Sequence, residues 1–194
     1  DEHRRRVFAD AARRVRRPIV ACHLVGGNDD VLFDGRSAAY DAEGRLVLAD
    51  GIEYVAKTRK PASIIDIATL TGAAVAALGK DYAALFARDD KLAAALAASG
   101  EATGELVWRM PLHPSYAETM KSDVADIKNV AEGGGPGAGL GAHFIGHFVD
   151  PATPWAHIDM AGPMNFGKAT PLTPRGMSGY GVRLLAAMAR GWKP

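Results

Sequence analysis

Ala62-Ser-Ile-Ile-Asp-Ile-Ala-Thr-Leu70 is close to uniformly apolar and rich in isoleucine. A strand with one wet face alternates apolar and polar residues, whereas a strand covered on both faces does not need to. The stretch therefore reads as a parallel strand covered on both faces, and its acid, Asp66, as a satisfied structural group. Immediately after it, Thr71-Gly72 turns into a short alanine-rich helix ending near Gly79, followed by a strand over 82–87. Asp89 or Asp90 then caps a helix whose apolar positions are Leu92, Ala95 and Leu96, because a short acidic side chain accepts from the unpaired N–H groups of a first turn.

Upstream, Leu48, Ile52 and Val55 recur at helical spacing and mark a helix stopped before Pro61. Farther back, Val7, Phe8, Ala11, Ala12 and Val15 predict a helix over 4–17, ended by Pro18, whose ring disfavours helical geometry in the residue before it. A buried strand over 19–25, a turn over 26–29 and an extended piece over 31–33 follow. Downstream, 100–123 reads as irregular with one helix around Tyr116, and 124–130 as a strand. The run Gly133-Gly-Gly-Pro-Gly137 opens a helix carrying Leu140, Phe144 and Phe148. A strand over 155–160, with Asp159 as a second structural acid, leads to a last helix over 179–190 expected to bury Val182, Leu185, Ala186 and Ala189. Strands alternating with helices imply an α/β fold, a mostly parallel sheet flanked by helices on both faces, in a single domain over 1–194. Sites in such sheets lie beyond the carboxyl ends of strands.

The bulk numbers narrow the function classes. With 194 residues the chain can bury a substantial core, and its formal net charge of +1 gives no global field toward nucleic acid. The first 17 residues do hold seven arginines against Asp1, Glu2 and Asp10; a basic helix of this kind serves an anionic partner, a solvated face or a subunit contact equally. Cys22 is the one cysteine, so neither an internal disulfide nor a cysteine-based zinc site is expected. No apolar run approaches the roughly 20 residues that span a bilayer, and the opening Asp1-Glu-His-Arg4 lacks an apolar signal core. Cytoplasmic location, with neither membrane nor nucleic acid as a partner, is the expectation.

Asp41 and Glu43 stand two apart in a loop entering a helix, a spacing that lets two carboxylates converge. Like charges held together are costly unless a cation or proton separates them. A divalent metal supplies that cation, and oxygen donors suit Zn, Mn or Mg; on spacing alone, two solvated acids explain the pair as well. Arg45 follows near a helix N-terminus, where it and the backbone N–H groups favour an anion. The other patterns carry less. The glycine run lacks the Gly-Lys-Ser/Thr ending of a phosphate loop, so it reads as a turn opening a helix, and His143 and His147 lack the glutamate of a zinc-protease helix. Trp108 and Trp155 read as core or interface residues.

Asp41-Ala-Glu-Gly-Arg-Leu-Val-Leu-Ala-Asp50 resembles the signature of leucine (cytosol) aminopeptidases, which reads Asn-Thr-Asp-Ala-Glu-Gly-Arg-Leu. Four further segments are similar to that family in the same order: Ile65-Asp-Ile-Ala-Thr-Leu-Thr-Gly72, Ala125-Asp-Ile-Lys-Asn-Val130, Trp155-Ala-His-Ile-Asp-Met-Ala-Gly162 and Gly176-Met-Ser-Gly-Tyr-Gly-Val-Arg-Leu-Leu185. The resemblance covers about residue 19 to the end, and is with the C-terminal part of the family's catalytic domain. It implies an enzyme that releases N-terminal amino acids, preferably apolar ones, with two metal ions (Mn or Zn) about 3–4 Å apart. Asp41 would bind one ion and Glu43 would bridge both. Arg45 would hold a bicarbonate that acts as general base. Thr69, Leu70 and Gly72 would grip the substrate backbone and form one wall of its side-chain pocket; Ala161 and Met164 would form the other. Peptide substrates and a homo-oligomer, a hexamer in this family, are implied as partners.

Departures from the pattern bear on activity. The family's other metal ligands, a lysine and two aspartates, and a second lysine that polarises the scissile carbonyl come from an earlier segment with a Phe-Asp-Ser-Gly-Gly-like run. Nothing before Asp41 resembles it. Ala39 and Tyr40 stand where the family has Asn and Thr, and an Asn-Met-Pro-Ser-Gly stretch is shrunken to Gly26-Gly-Asn-Asp-Asp30. Two carboxylates do not fill two metal shells. The expectation is therefore a chain lacking its N-terminal part or a decayed relative, the changes at Ala39 and Tyr40 slightly favouring decay. Beside the enzyme stands a second reading, a non-catalytic scaffold or assembly subunit.

Overall fold

The computed structural model describes residues 27–28, 31–32, 44–129, 135–173 and 175–192, with side chains from Leu48 onward. The helix expected over 4–17, the strand over 19–25 and the loop holding Asp41 and Glu43 lie outside the described residues. Gly27–Asn28 (β1) pairs antiparallel with Val31–Leu32 (β2), so two residues expected in a turn belong to a short hairpin ladder.

The expected α/β architecture is what the chain adopts. Helix α1, Gly44–Arg59, buries Leu48, Ala49 and Ile52 on one side. Strand β3, Ile64–Ala68, is followed by α2, Gly72–Leu78, β4, Ala83–Ala87, and α3, Asp90–Thr103. Asp89 caps α3, its Oδ1 accepting from Leu92 N at 2.7 Å. Then come β5, Val107–Arg109, α4, Ser115–Thr119, α5, Gly137–His147, and β6, Trp155–Asp159. A two-residue ladder of β7, Asn165–Phe166, with β8, Gly176–Met177, precedes α6, Val182–Gly191.

The main sheet has the order β3-β6-β4-β5. It is mostly parallel: β3 with β6 and β4 with β5 run together, while the central β6–β4 pairing is antiparallel. β3 and β4 thus run in opposite senses, joined through the short helix α2.

Helices cover both faces. On one, Ile64, Ala68, Ala84, Phe86 and Trp155 pack beneath α1 and α5 through Leu48, Ile52, Leu140, Phe144 and Ile145. On the other, Ala83, Leu85, Ala87, Ala156 and Ile158 meet Leu92 and Leu96 of α3 and Leu184 and Met188 of α6. Successive residues of β4 and β6 alternate between these cores, as the two-residue period of a strand demands.

Three expectations need correction. Residues 124–129 bend rather than extend; Val124 is 96% exposed, and the backbone instead closes on itself through Lys128 N to Met120 O at 2.7 Å. The segment expected to be irregular contains β5, whose Val107 alone reaches the core. The last helix buries Leu184 and Met188, with the expected Leu185 only partly buried against the same core, while Val182 is 61% exposed. Both sets of positions repeat at helical spacing, and only the packed neighbours select the face.

Candidate functional site

In the β3–β6 register Ala68 opposes Asp159, and Met160 N donates to Ala68 O at 2.8 Å. The two strands thus end side by side. Thr69 and Leu70 leave one and Ala161 to Met164 leave the other, all four of these named residues half-buried, while Gly72 is exposed at the start of α2. These are the residues expected to form the two walls of a substrate pocket.

Asp159 joins the loops. Its carboxylate is 1% exposed and accepts three hydrogen bonds: from Leu70 N at 3.0 Å, Thr71 Oγ1 at 2.7 Å and Ala161 N at 3.2 Å. The Thr71 hydroxyl is used twice, since it also caps α2 by accepting from Ala74 N at 3.1 Å. The other end of α2 is tied by close approach. A Cβ on Gly162 would lie 2.1 Å from the carbonyl oxygen of Gly79, the residue that ends α2, so only glycine lets the second loop rest there. Met164 is held from outside: its carbonyl accepts from Ser178 N at 2.9 Å, and Pro163 O from Ser178 Oγ at 2.6 Å. Over the first loop lies α5, where a Cβ on Gly141 would approach Leu70 Cδ2 at 3.1 Å and Thr71 Cγ2 at 3.2 Å. The glycines at 137, 139 and 141 therefore do more than open a helix, because they let α5 press onto α2, α4 and this loop.

Behind the loops lies a buried polar group. Asp66 accepts from Trp155 Nε1 at 2.8 Å and from His157 Nδ1, both residues on the same face of β6. His157 is fully buried and stacks on Phe86, with ring centroids 6.2 Å apart, and its Nε2 has no partner among the described residues. Burial alone would lower the imidazole pKa, but the charge and hydrogen bond of Asp66 and the charge of Asp159 outweigh it and raise the value above 6.5. Asp66 and Asp159 are thus the satisfied structural acids that an acid in an apolar strand implies.

Asp41 and Glu43 lie outside the described residues, and Arg45 stands in the first turn of α1 with its side chain undescribed. Among the described residues no group of three or more His, Cys, Asp or Glu could hold a metal ion. Residue-by-residue reading overlooked Thr71 and Ser178 as the links between loops; both are small hydroxyl residues beside a glycine, a common turn pattern with no long-range signal of its own.

Three of the segments that carry the family resemblance, 65–72, 155–162 and 176–185, converge here. The sequence matches the model of the cytosol aminopeptidase family, catalytic domain, over residues 38–186. It is 50% identical over 154 residues to a probable cytosol aminopeptidase of Chlorobaculum tepidum, covering 78% of this chain and 30% of that protein. It is also 50% identical over 163 residues to a cytosol aminopeptidase of Rickettsia prowazekii, covering 82% and 33%. The chain thus spans about a third of the length of the curated relatives it matches. Among solved structures it superposes on a K354E mutant of tomato leucine aminopeptidase with TM-score 0.69 and 44% identity, covering 76% of this chain and 28% of that one. On the bottromycin maturation enzyme BotP the TM-score is 0.71 with 38% identity, covering 76% and 32%.

Proposed function

Because this chain belongs to the cytosol aminopeptidase family, we propose that it works as a metal-dependent aminopeptidase that releases N-terminal amino acids, apolar ones by preference. The observation that carries the reading is the meeting of the two half-buried loops at the ends of β3 and β6, joined through Asp159. In this proposal Thr69, Leu70 and Gly72 hold the substrate backbone and one side of its first side chain. Ala161 and Met164 form the opposite side, where an unbranched, polarizable methionine adapts to varied apolar groups.

Asp41 and Glu43 are the proposed metal ligands, hard oxygen donors that fit Mn or Zn. Two carboxylates leave coordination positions for other donors, so they are part of a metal set and not the whole of it. When bound, the ion supplies Lewis acidity and an activated water. Arg45 is proposed to hold a bicarbonate as the proton acceptor, which its fixed positive charge suits. Peptides are the proposed substrates, the cytoplasm the proposed location and a homo-oligomer, a hexamer, the proposed assembly; no described helix is long and apolar enough to cross a membrane.

The test is turnover of leucine p-nitroanilide with added Mn or Zn, beside calorimetric titration of the same ions. Turnover that disappears in Glu43→Gln, with two tight ions in the parent chain, is the expected result. At most one weakly held ion and no turnover would sink the proposal and indicate a scaffold.

A further inference from the structure

The carboxylate of Asp159 spans a gap that neither loop closes by itself. One oxygen accepts from Leu70 N and Ala161 N, one amide from each wall, and the other accepts from Thr71 Oγ1. At 1% exposure such a group is costly to bury unless its charge is met. Here three donors meet it, and His157 lies two residues back on the same strand face. Asp159 thus bonds to the backbone of both loops. The backbone tie, Met160 N to Ala68 O, sits one step farther inside the sheet and leaves the loop ends free to splay.

We propose that Asp159 is a positioning residue that sets the separation of the Leu70 and Ala161 loops, and through it the size of the N-terminal side chain the site accepts. The inference rests on the aminopeptidase reading for its consequence, but the linkage itself is measurable without turnover. Thr71 belongs to the same device: its hydroxyl fixes the second carboxylate oxygen and caps α2, so one side chain couples loop spacing to helix position.

Site-resolved amide hydrogen exchange on the 194-residue chain, in the parent and in Asp159→Asn, Thr71→Val and Thr71→Ser, is the direct measurement. The Asp159→Asn change should speed exchange at Leu70 and Ala161 together, by about tenfold, since each loses a charge-assisted acceptor. Amides inside β3 and β6 serve as the reference. Thr71→Val should move the same two amides in the same direction, and Thr71→Ser, which keeps the hydroxyl, should restore them to within about twofold of the parent. In the Mn- or Zn-loaded chain, the kcat/KM preference for leucine over alanine p-nitroanilide should fall about tenfold in Asp159→Asn, through KM more than kcat.

Unchanged exchange at either amide in both Asp159→Asn and Thr71→Val overturns the proposal, as does an unaltered leucine preference in an active chain. If Asp159→Asn does not fold, the Thr71 pair decides alone. A parent chain without turnover speaks against the proposed function, and the exchange data then decide whether the two loops are linked as stated.

Discussion

Glu105 is a carboxylate that the sequence disguises, standing between a glycine and a leucine with no partner nearby in the chain. It is 3% exposed, and its Oε2 accepts from Gly181 N at 3.0 Å and Leu184 N at 2.8 Å. It therefore caps α6 from a distant part of the chain, a task the glycine at the cap position cannot perform. Arg183 adds a charge contact, Nε to Oε1 at 3.2 Å. Replacing Glu105 with Ala strands two buried N–H groups, so chemical denaturation should show a loss of about 2–5 kcal/mol; a loss under about 0.5 kcal/mol would show that the cap is idle. His157 makes a second, pH-dependent prediction. Its folded pKa is raised, so its stabilising contribution is fully present below about 6.5 and is lost as pH rises through the folded value. The thermal midpoint should accordingly fall with rising pH above that point, and the fall should be shallower in Asp66→Asn.

Among elements, α5 depends most on small residues. Its glycines meet Ala73, Tyr116, Leu70, Thr71 and Trp155 at distances a Cβ would crowd. Gly146 gives the clearest test, since a Cβ there would sit 2.8 Å from Trp155 Cζ3, and that ring is only 1% exposed. Two effects compete in Gly146→Ala. Helix propensity favours alanine by about 1 kcal/mol, while overpacking a fixed ring costs about 1–3 kcal/mol. The net expectation in urea unfolding is destabilisation of about 0–2 kcal/mol, and a gain in stability would mean that α5 is free to shift. The sequence leaves Asp89 and Asp90 both able to cap α3, the structure selecting Asp89, and helical spacing locates α5. It could not select which face of α6 turns inward, because its residues at 182, 185, 186 and 189 and those at 184 and 188 both satisfy the period.

Across the whole molecule, β4 and β6 belong to both cores at once. Phe86 and Trp155 face one cluster; Leu85 and Ile158 face the other. Unfolding one core should therefore disrupt the other. Two tryptophans report the two sides: Trp155 in the first cluster and Trp192 in the second. In the parent chain, tryptophan fluorescence and far-UV circular dichroism should give coincident denaturation midpoints. Midpoints separated beyond experimental error would instead show two independently melting units.

The residues by themselves determined the family, the alternation of strands and helices, and the helix ends near Gly79 and before Pro61, since each rests on neighbours within a turn or two of the chain. Tertiary structure alone decided the reversed direction of β4, the inward face of α6, the Asp159 link between two loops and the Glu105 cap. The last two depend on groups separated by 76 to 89 positions. Local periodicity holds no record of such distances; only the closing of the sheet, which sets Ala68 beside Asp159, brings those partners within hydrogen-bonding reach.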